Sequence, residues 1–296
     1  MLTIERLTKK FGSHVVLNEI DMSIEKNDFY GLVGKNGAGK TTLINLIAGI
    51  NQPDEGKILF NHQPLSSEYK DLIGLMPDSE GLPKNSNGYD FLNYMGKLKK
   101  VNLSQSEIKQ LLNNVCLDVS KHLSIKKYSF GMKKKLAIAQ ALIGEPQIII
   151  LDEPTSGVDP ESAIHLRRLF TDLHNAGKTI LLTSHNLEEV EKMCNKLSFI
   201  ENGHLSVSGE IATLIKNNQS SIQLIITFET AYTHDELLGK TKNLPFTFDL
   251  EYRNNRMIID CSTLAINQIL SLLLQLEDFK IVELATEKNN LEQILF

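Results

Sequence analysis

Two short segments carry residues that could do chemistry. Gly34-Lys35-Asn36-Gly37-Ala38-Gly39-Lys40-Thr41-Thr42 fits the pattern G-x-x-x-x-G-K-[ST]. Its glycines let backbone N–H groups turn inward around phosphate oxygens, and the helix that follows adds the partial positive charge of its N-terminus. Lys40 is placed to reach the β- and γ-phosphates of a nucleotide, and the Thr41 hydroxyl to ligate Mg²⁺. The second segment is Ile148-Ile149-Ile150-Leu151-Asp152-Glu153-Pro154, an apolar run ending in two carboxylates. Asp152 suits Mg²⁺ held through water, and Glu153 suits a general base that polarises an attacking water. Together the segments describe hydrolysis of a nucleoside triphosphate.

Such groups meet only if the chain positions them. Phe29-Tyr30-Gly31-Leu32-Val33 reads as the strand before the glycine loop, and a helix is predicted from about Lys40 to Ala48, closed by Gly49. Upstream, Val15 to Leu17 and Ile20 to Ile24 read as short strands. Continuous apolar runs at Leu72 to Met76, Ile148 to Leu151 and Thr179 to Thr183 suit a parallel sheet covered on both faces. The carboxylates then fall at the carboxyl edge of that sheet, beside the glycine loop. Between about residues 85 and 145 the pattern is helical. Phe91, Tyr94, Met95 and Leu98 form an apolar stripe read as core, and Ser104-x-x-Glu107 is a capping box. The lysines at 133–135 and at 97, 99 and 100 are read as solvated faces.

Several further motifs fall in a fixed order over about residues 1–215, and there the sequence resembles the ATP-binding subunit of an ABC transporter. Tyr128-Ser129-Phe130-Gly131-Met132 corresponds to that family's signature, Ser156-Gly157-Val158-Asp159 to its D-loop and Thr183-Ser184-His185 to its switch histidine. Lys10-Phe11-Gly12 resembles its adenine-stacking loop. The resemblance implies ATP and Mg²⁺, with Gly34, Asn36, Gly37, Ala38, Gly39, Lys40, Thr41 and Thr42 around the phosphates and Phe11 against the base. It implies Thr41, Asp78 and Asp152 at the metal, and Glu153 and His185 as catalytic groups. Ser129, Gly131 and Asp159 would serve across a head-to-tail dimer with a second ATPase subunit. Its fold is an α/β cassette with a mixed sheet and an inserted helical lobe.

The sequence departs from the family at Asp78, where glutamine is usual, and at Phe130 and Met132 in the signature. The last two resemble the drug-, antibiotic- and peptide-exporter branch. Beyond Lys216-Asn217-Asn218-Gln219-Ser220-Ser221 the order reads β-α-β-β-α-β over 222–296, a small α+β accessory domain appended to a cassette of 1–216.

The 296 residues carry a net charge of −5, three scattered cysteines and no apolar stretch of spanning length. Acidic balance argues against nucleic acid as a partner. Absence of a basic-then-apolar N-terminus leads to the expectation of a cytoplasmic chain, peripheral on the inner face of the cell membrane and working with a separate transmembrane permease. The alternatives are a soluble ABC-type clamp or a nucleotide-binding regulator that hydrolyses weakly.

Overall fold

A computed structural model describes residues 1–76, 81–118, 120, 122–218, 222–230, 232–233, 249–251, 255–261, 266, 269–271, 280–288 and 291. The chain divides into two compact units, Met1–Ile211 and Ala212–Phe296. The first begins β1 (Leu2–Phe11), β2 (His14–Ile24), β3 (Phe29–Val33), α1 (Lys40–Ile47), β4 (Glu55–Phe60), β5 (Gln63–Pro64), α2 (Ser67–Leu72) and β6 (Ile73–Leu75). Three helices follow, α3 (Gly88–Leu98), α4 (Gln105–Asn114) and α5 (Phe130–Ala141). The unit continues through β7 (Ile148–Asp152), α6 (Pro160–Asn175), β8 (Thr179–Ser184), α7 (Leu187–Met193), β9 (Lys196–Glu201) and β10 (His204–Glu210).

Two sheets share its core. An antiparallel sheet of order β2-β1-β4-β5 turns alternate side chains inward, among them Leu17, Ile20, Met22 and Ile24 of β2. The second sheet has the order β10-β9-β3-β8-β7-β6, with β9 through β6 parallel and β10 antiparallel at one edge. Every residue of β3 and β8 is buried, as expected of strands covered on both faces. The run expected as a strand from Leu72 is shorter, because Leu72 closes α2. The two short strands expected at 15–17 and 20–24 are one. Glu19, at φ 47°, bulges between them, and the register against β1 shifts there without ending the ladder.

The helical lobe forms where expected, and Ser104 and Glu107 make both bonds of the capping box at the start of α4. Its apolar stripe is only partly core. Phe91 and Leu92 are buried, whereas Tyr94 and Leu98 are 60% and 58% exposed. Lys99 is not a solvated lysine either. Its ammonium donates to the carbonyls of Ile73 and Ile143, and burial lowers its pKa.

In the second unit, α8 (Ile211–Asn218) leads into β11 (Ile222–Phe228), β12 (Asp249–Glu251), β13 (Arg256–Cys261) and β14 (Ile281–Lys288). These strands pair antiparallel in the order β12-β13-β11-β14 over a core of Leu224, Ile226, Phe228, Met257, Ile259 and Ile269. Ile266 and residues 269–271 are helical, inside the helix expected over 264–276. The helix expected over 235–239, the start of the strand from 246 and the chain end after 291 lie outside the described residues. Among the described residues no helix is long and apolar enough to cross a membrane.

Candidate active site

Three neighbouring strand ends build the site. In the order β3-β8-β7, Val33 pairs with Ser184 and Thr183 with Asp152. The glycine loop after β3, His185 after β8 and Glu153 after β7 therefore emerge side by side at the carboxyl edge of the sheet. Sequence neighbours could not do this, since Thr41 and Asp152 stand 111 residues apart and still make a hydrogen bond of 2.7 Å.

The loop is held by backbone geometry that only glycine fits. A Cβ on Gly34 would lie 2.3 Å from the Ile200 carbonyl oxygen, and Gly39 caps α1 at φ 109°. No side chain caps α1, and its first turn holds no acidic residue, so the N–H groups and helix dipole face the loop unopposed. Lys40 is 7% exposed. Its ammonium donates to the carbonyls of Gly34 at 2.5 Å and Lys35 at 3.2 Å, and stands 3.6 Å from Oε1 of Glu153. Lys35, Asn36, Gly37, Gly39, Lys40, Thr41 and Thr42 line a cavity of about 200 Å³ with Val16, Asp152 and Glu153. A cleft of about 620 Å³ between α4, α6 and the end of α5 is larger but holds none of these groups.

Asp152 accepts from two hydroxyls, Thr41 Oγ1 on one oxygen and Thr183 Oγ1 on the other. Thr183 Oγ1 in turn accepts from the backbone N–H of Glu153 at 2.9 Å. Glu153 adopts φ 48°, a left-handed conformation rare for a side chain of its size. One of its carboxylate oxygens lies 2.8 Å from Nδ1 of His185, with the ring donating. The other, Oε1, is buried without a hydrogen-bond partner. A buried carboxylate oxygen with no hydrogen-bond donor and only the Lys40 ammonium near it, at 3.6 Å, next to a hydroxyl–carboxylate pair, fits a site that takes an ordered water and a hard cation. Mg²⁺ is usually held by one or two carboxylates together with substrate phosphates, so Thr41 and Asp152 are a sufficient protein share. Among the described residues no group of three or more His, Cys, Asp or Glu side chains is placed to hold a metal ion. Asp78 lies outside the described residues.

The remaining expected site residues stand apart from the cavity. Phe11 is half exposed at the end of β1, with the Lys9 ammonium 5.5 Å from its ring centre. Ser129 caps α5, accepting from the N–H of Met132, and Gly131 lies in the first turn. Asp159 caps α6, accepting from the N–H of Ser162, a bond that lowers its carboxyl pKa.

Three features escaped the sequence reading. Thr183, quoted only as part of the motif of the switch histidine and given no role of its own, joins Asp152 to Glu153. Lys134 and Lys135, expected on a solvated face, are 6% and 8% exposed. Lys134 donates to the Glu153 carbonyl, and Lys135 donates to Ser162 Oγ and stands 3.6 Å from Asp159. Both ammonium groups end on oxygen acceptors, and no charge pattern in the sequence distinguishes that from a lysine in water. Finally, Glu189 accepts from Thr155 Oγ1 and from Arg167, each at 2.7 Å, and so ties the loop after Glu153 to α6 and α7.

Comparison with known proteins points to one family. Residues 17–156 match the family described as ABC transporter. The lantibiotic transport ATP-binding protein SrtF of Streptococcus pyogenes is 36% identical over 210 residues, covering 71% of this chain and 91% of that protein. The linearmycin resistance ATP-binding protein LnrL of Bacillus subtilis is 28% identical over 304 residues, covering 99% of this chain and 96% of its own length. A solved ATP-binding subunit of an ABC transporter superposes with a TM-score of 0.66 at 26% identity, covering 73% of this chain and 92% of the other. With its nucleotide loop, its carboxylate strand and these relatives, the chain belongs to the ABC transporter family as an ATP-binding, ATP-hydrolysing subunit.

Proposed function

We propose that this chain powers export of a drug, antibiotic or peptide through a separate membrane permease, docked at the inner face of the cell membrane. Two ATPase subunits would close head to tail around two ATP molecules, each held between one subunit's glycine loop and the other's Ser129 and Gly131. The observation that carries the reading is the convergence of Lys40, Thr41, Asp152 and Glu153 on one cavity, with His185 bonded to Glu153. Ser129 and Gly131 stand at a helix start outside that cavity, which suits groups that act on a nucleotide bound elsewhere. The names of the relatives, lantibiotic transport and linearmycin resistance, support export as the task.

Thr41 and Asp152 would hold Mg²⁺, with Asp78 as the further ligand that the family resemblance implies, and the cation would supply neutralisation of charge on the phosphate oxygens. Lys40 and the N–H groups of the loop orient the β- and γ-phosphates. Glu153 accepts a proton from water as the water oxygen bonds to the γ-phosphorus and the bond to the ADP oxygen breaks. His185 holds the Glu153 carboxylate in place and contacts the γ-phosphate. Release of that phosphate would remove what both subunits grip and let the dimer open.

The test is Glu153→Gln. It should bind ATP with unchanged affinity, run as a dimer in ATP on size-exclusion chromatography, and lose turnover by about 10²-fold or more. Turnover at the wild-type rate would sink Glu153 as the base.

A further inference from the structure

Lys134 is buried beside the site and is given no part in the mechanism above. A lysine at 6% exposure has lost most of its hydration and must be held by acceptors. Its ammonium donates to the backbone carbonyl of Glu153 and lies 5.2 Å from the centre of the Phe130 ring, over its face. That ring packs on Gly157, where an added Cβ would come within 2.7 Å of it. Phe130, the residue that replaces the usual signature glycine, is thus one wall of the lysine's pocket.

The acceptor matters because of the conformation it holds. With φ at 48°, Glu153 sits in the left-handed region, which disfavours any residue that carries a side chain. Both peptide groups flanking its Cα are tied, the N–H to Thr183 Oγ1 and the carbonyl to Lys134, with Ser156 N–H a second donor at 3.3 Å. Releasing the carbonyl would let the residue relax to ordinary backbone angles and swing the carboxylate off its line toward Lys40 and His185.

We propose that Lys134 is a positioning residue for Glu153, its ammonium holding the carbonyl and thereby aiming the carboxylate. The same side chain joins the first turns of α5, where Ser129 and Gly131 lie, to the hydrolytic centre of its own subunit. This rests on the reading of Glu153 as the base, and in the proposed dimer it would connect the helix start facing one ATP with the base serving the other.

The experiment compares Lys134→Met, Lys134→Arg, Glu153→Gln and the double variant Lys134→Met/Glu153→Gln in the full chain. A displacement near 1 Å in a reacting group costs up to about 100-fold, so Lys134→Met should lower kcat by about 10- to 100-fold. Its KM for ATP and its affinity for ATP should stay within about twofold, Lys134→Arg should recover most of the rate, and the double variant should be no slower than Glu153→Gln. Wild-type kcat in Lys134→Met overturns the proposal. So does a loss that appears mainly in KM, a further loss on top of Glu153→Gln, or a Lys134→Met chain that no longer folds or binds ATP, since the lysine would then support the fold. Full turnover in Glu153→Gln instead removes the base itself, an outcome separate from failure of Lys134→Met alone.

Discussion

Thr183→Val changes one atom of one fully buried residue and should disturb the site from within. Valine has the shape of threonine, so no cavity opens and β8 keeps its register. What disappears is a hydroxyl that donates to Asp152 and accepts from the N–H of Glu153. Loss of a hydrogen bond to a charged group costs about 1.5–3 kcal/mol, and a buried N–H left unpaired about 1–3 kcal/mol. The apolar methyl gained in a buried position offsets part of this, leaving a net destabilisation of roughly 2–4 kcal/mol. Urea denaturation followed by far-ultraviolet circular dichroism measures it. Asp152 would retain Thr41 as its hydroxyl donor, and loss of a partner that orients a metal ligand typically weakens metal affinity about 10- to 100-fold. Titrating ATP turnover against Mg²⁺ should show the midpoint rising by that factor. A loss below about 0.5 kcal/mol with an unmoved Mg²⁺ midpoint would refute the view that Thr183 organises both carboxylates.

Two other predictions concern groups around the site. Arg167→Met takes the cation from the Glu189 carboxylate, whose side chain is only 10% exposed and keeps the Thr155 hydroxyl, and should cost about 1–3 kcal/mol in urea denaturation, less than for a wholly buried pair because Arg167 is one third exposed. Adding Glu189→Met should recover at least half of that loss, whereas a pair that stabilises strongly in its own right would recover none. Among the thiols, burial raises the pKa of Cys194 and Cys116 is exposed. Ellman's reagent at pH 8 should therefore modify Cys116 within minutes and spare Cys194 until the chain is unfolded, as mass mapping of the labelled peptides would show.

What could be read from sequence was whatever depends on local pattern. The glycine loop, the apolar runs of β3, β7 and β8 and the capping box at Ser104 each state their structure within a few residues. The bulge at Glu19 left no mark, because a left-handed residue in a strand is dictated by the partner ladder and not by the residue itself. Tyr94 and Leu98 looked like core since period alone cannot tell which side of a helix has a neighbour. Lys134 and Lys135 were hidden for a related reason. Their acceptors, the Glu153 carbonyl and Ser162, lie 19 and 27 residues further along and become neighbours only after folding. In the site itself, the groups with distinctive chemistry were legible and those that hold them in place were not.

The position of β8 between β3 and β7 also bears on how the protein is made. A nascent chain that has emerged as far as Gly177 already contains the glycine loop, Asp152 and Glu153, yet lacks the strand that separates and aligns them. Adjacent strands lie about 4.8 Å apart, so the missing strand is a gap of nearly 10 Å between the two halves of the site. Thr183 and His185 arrive on that same late strand and its exit. Until they emerge from the ribosome, the glycine loop and the Glu153 carboxylate stand on two strand edges that nothing yet joins, and it is the insertion of six residues that brings them to their final spacing.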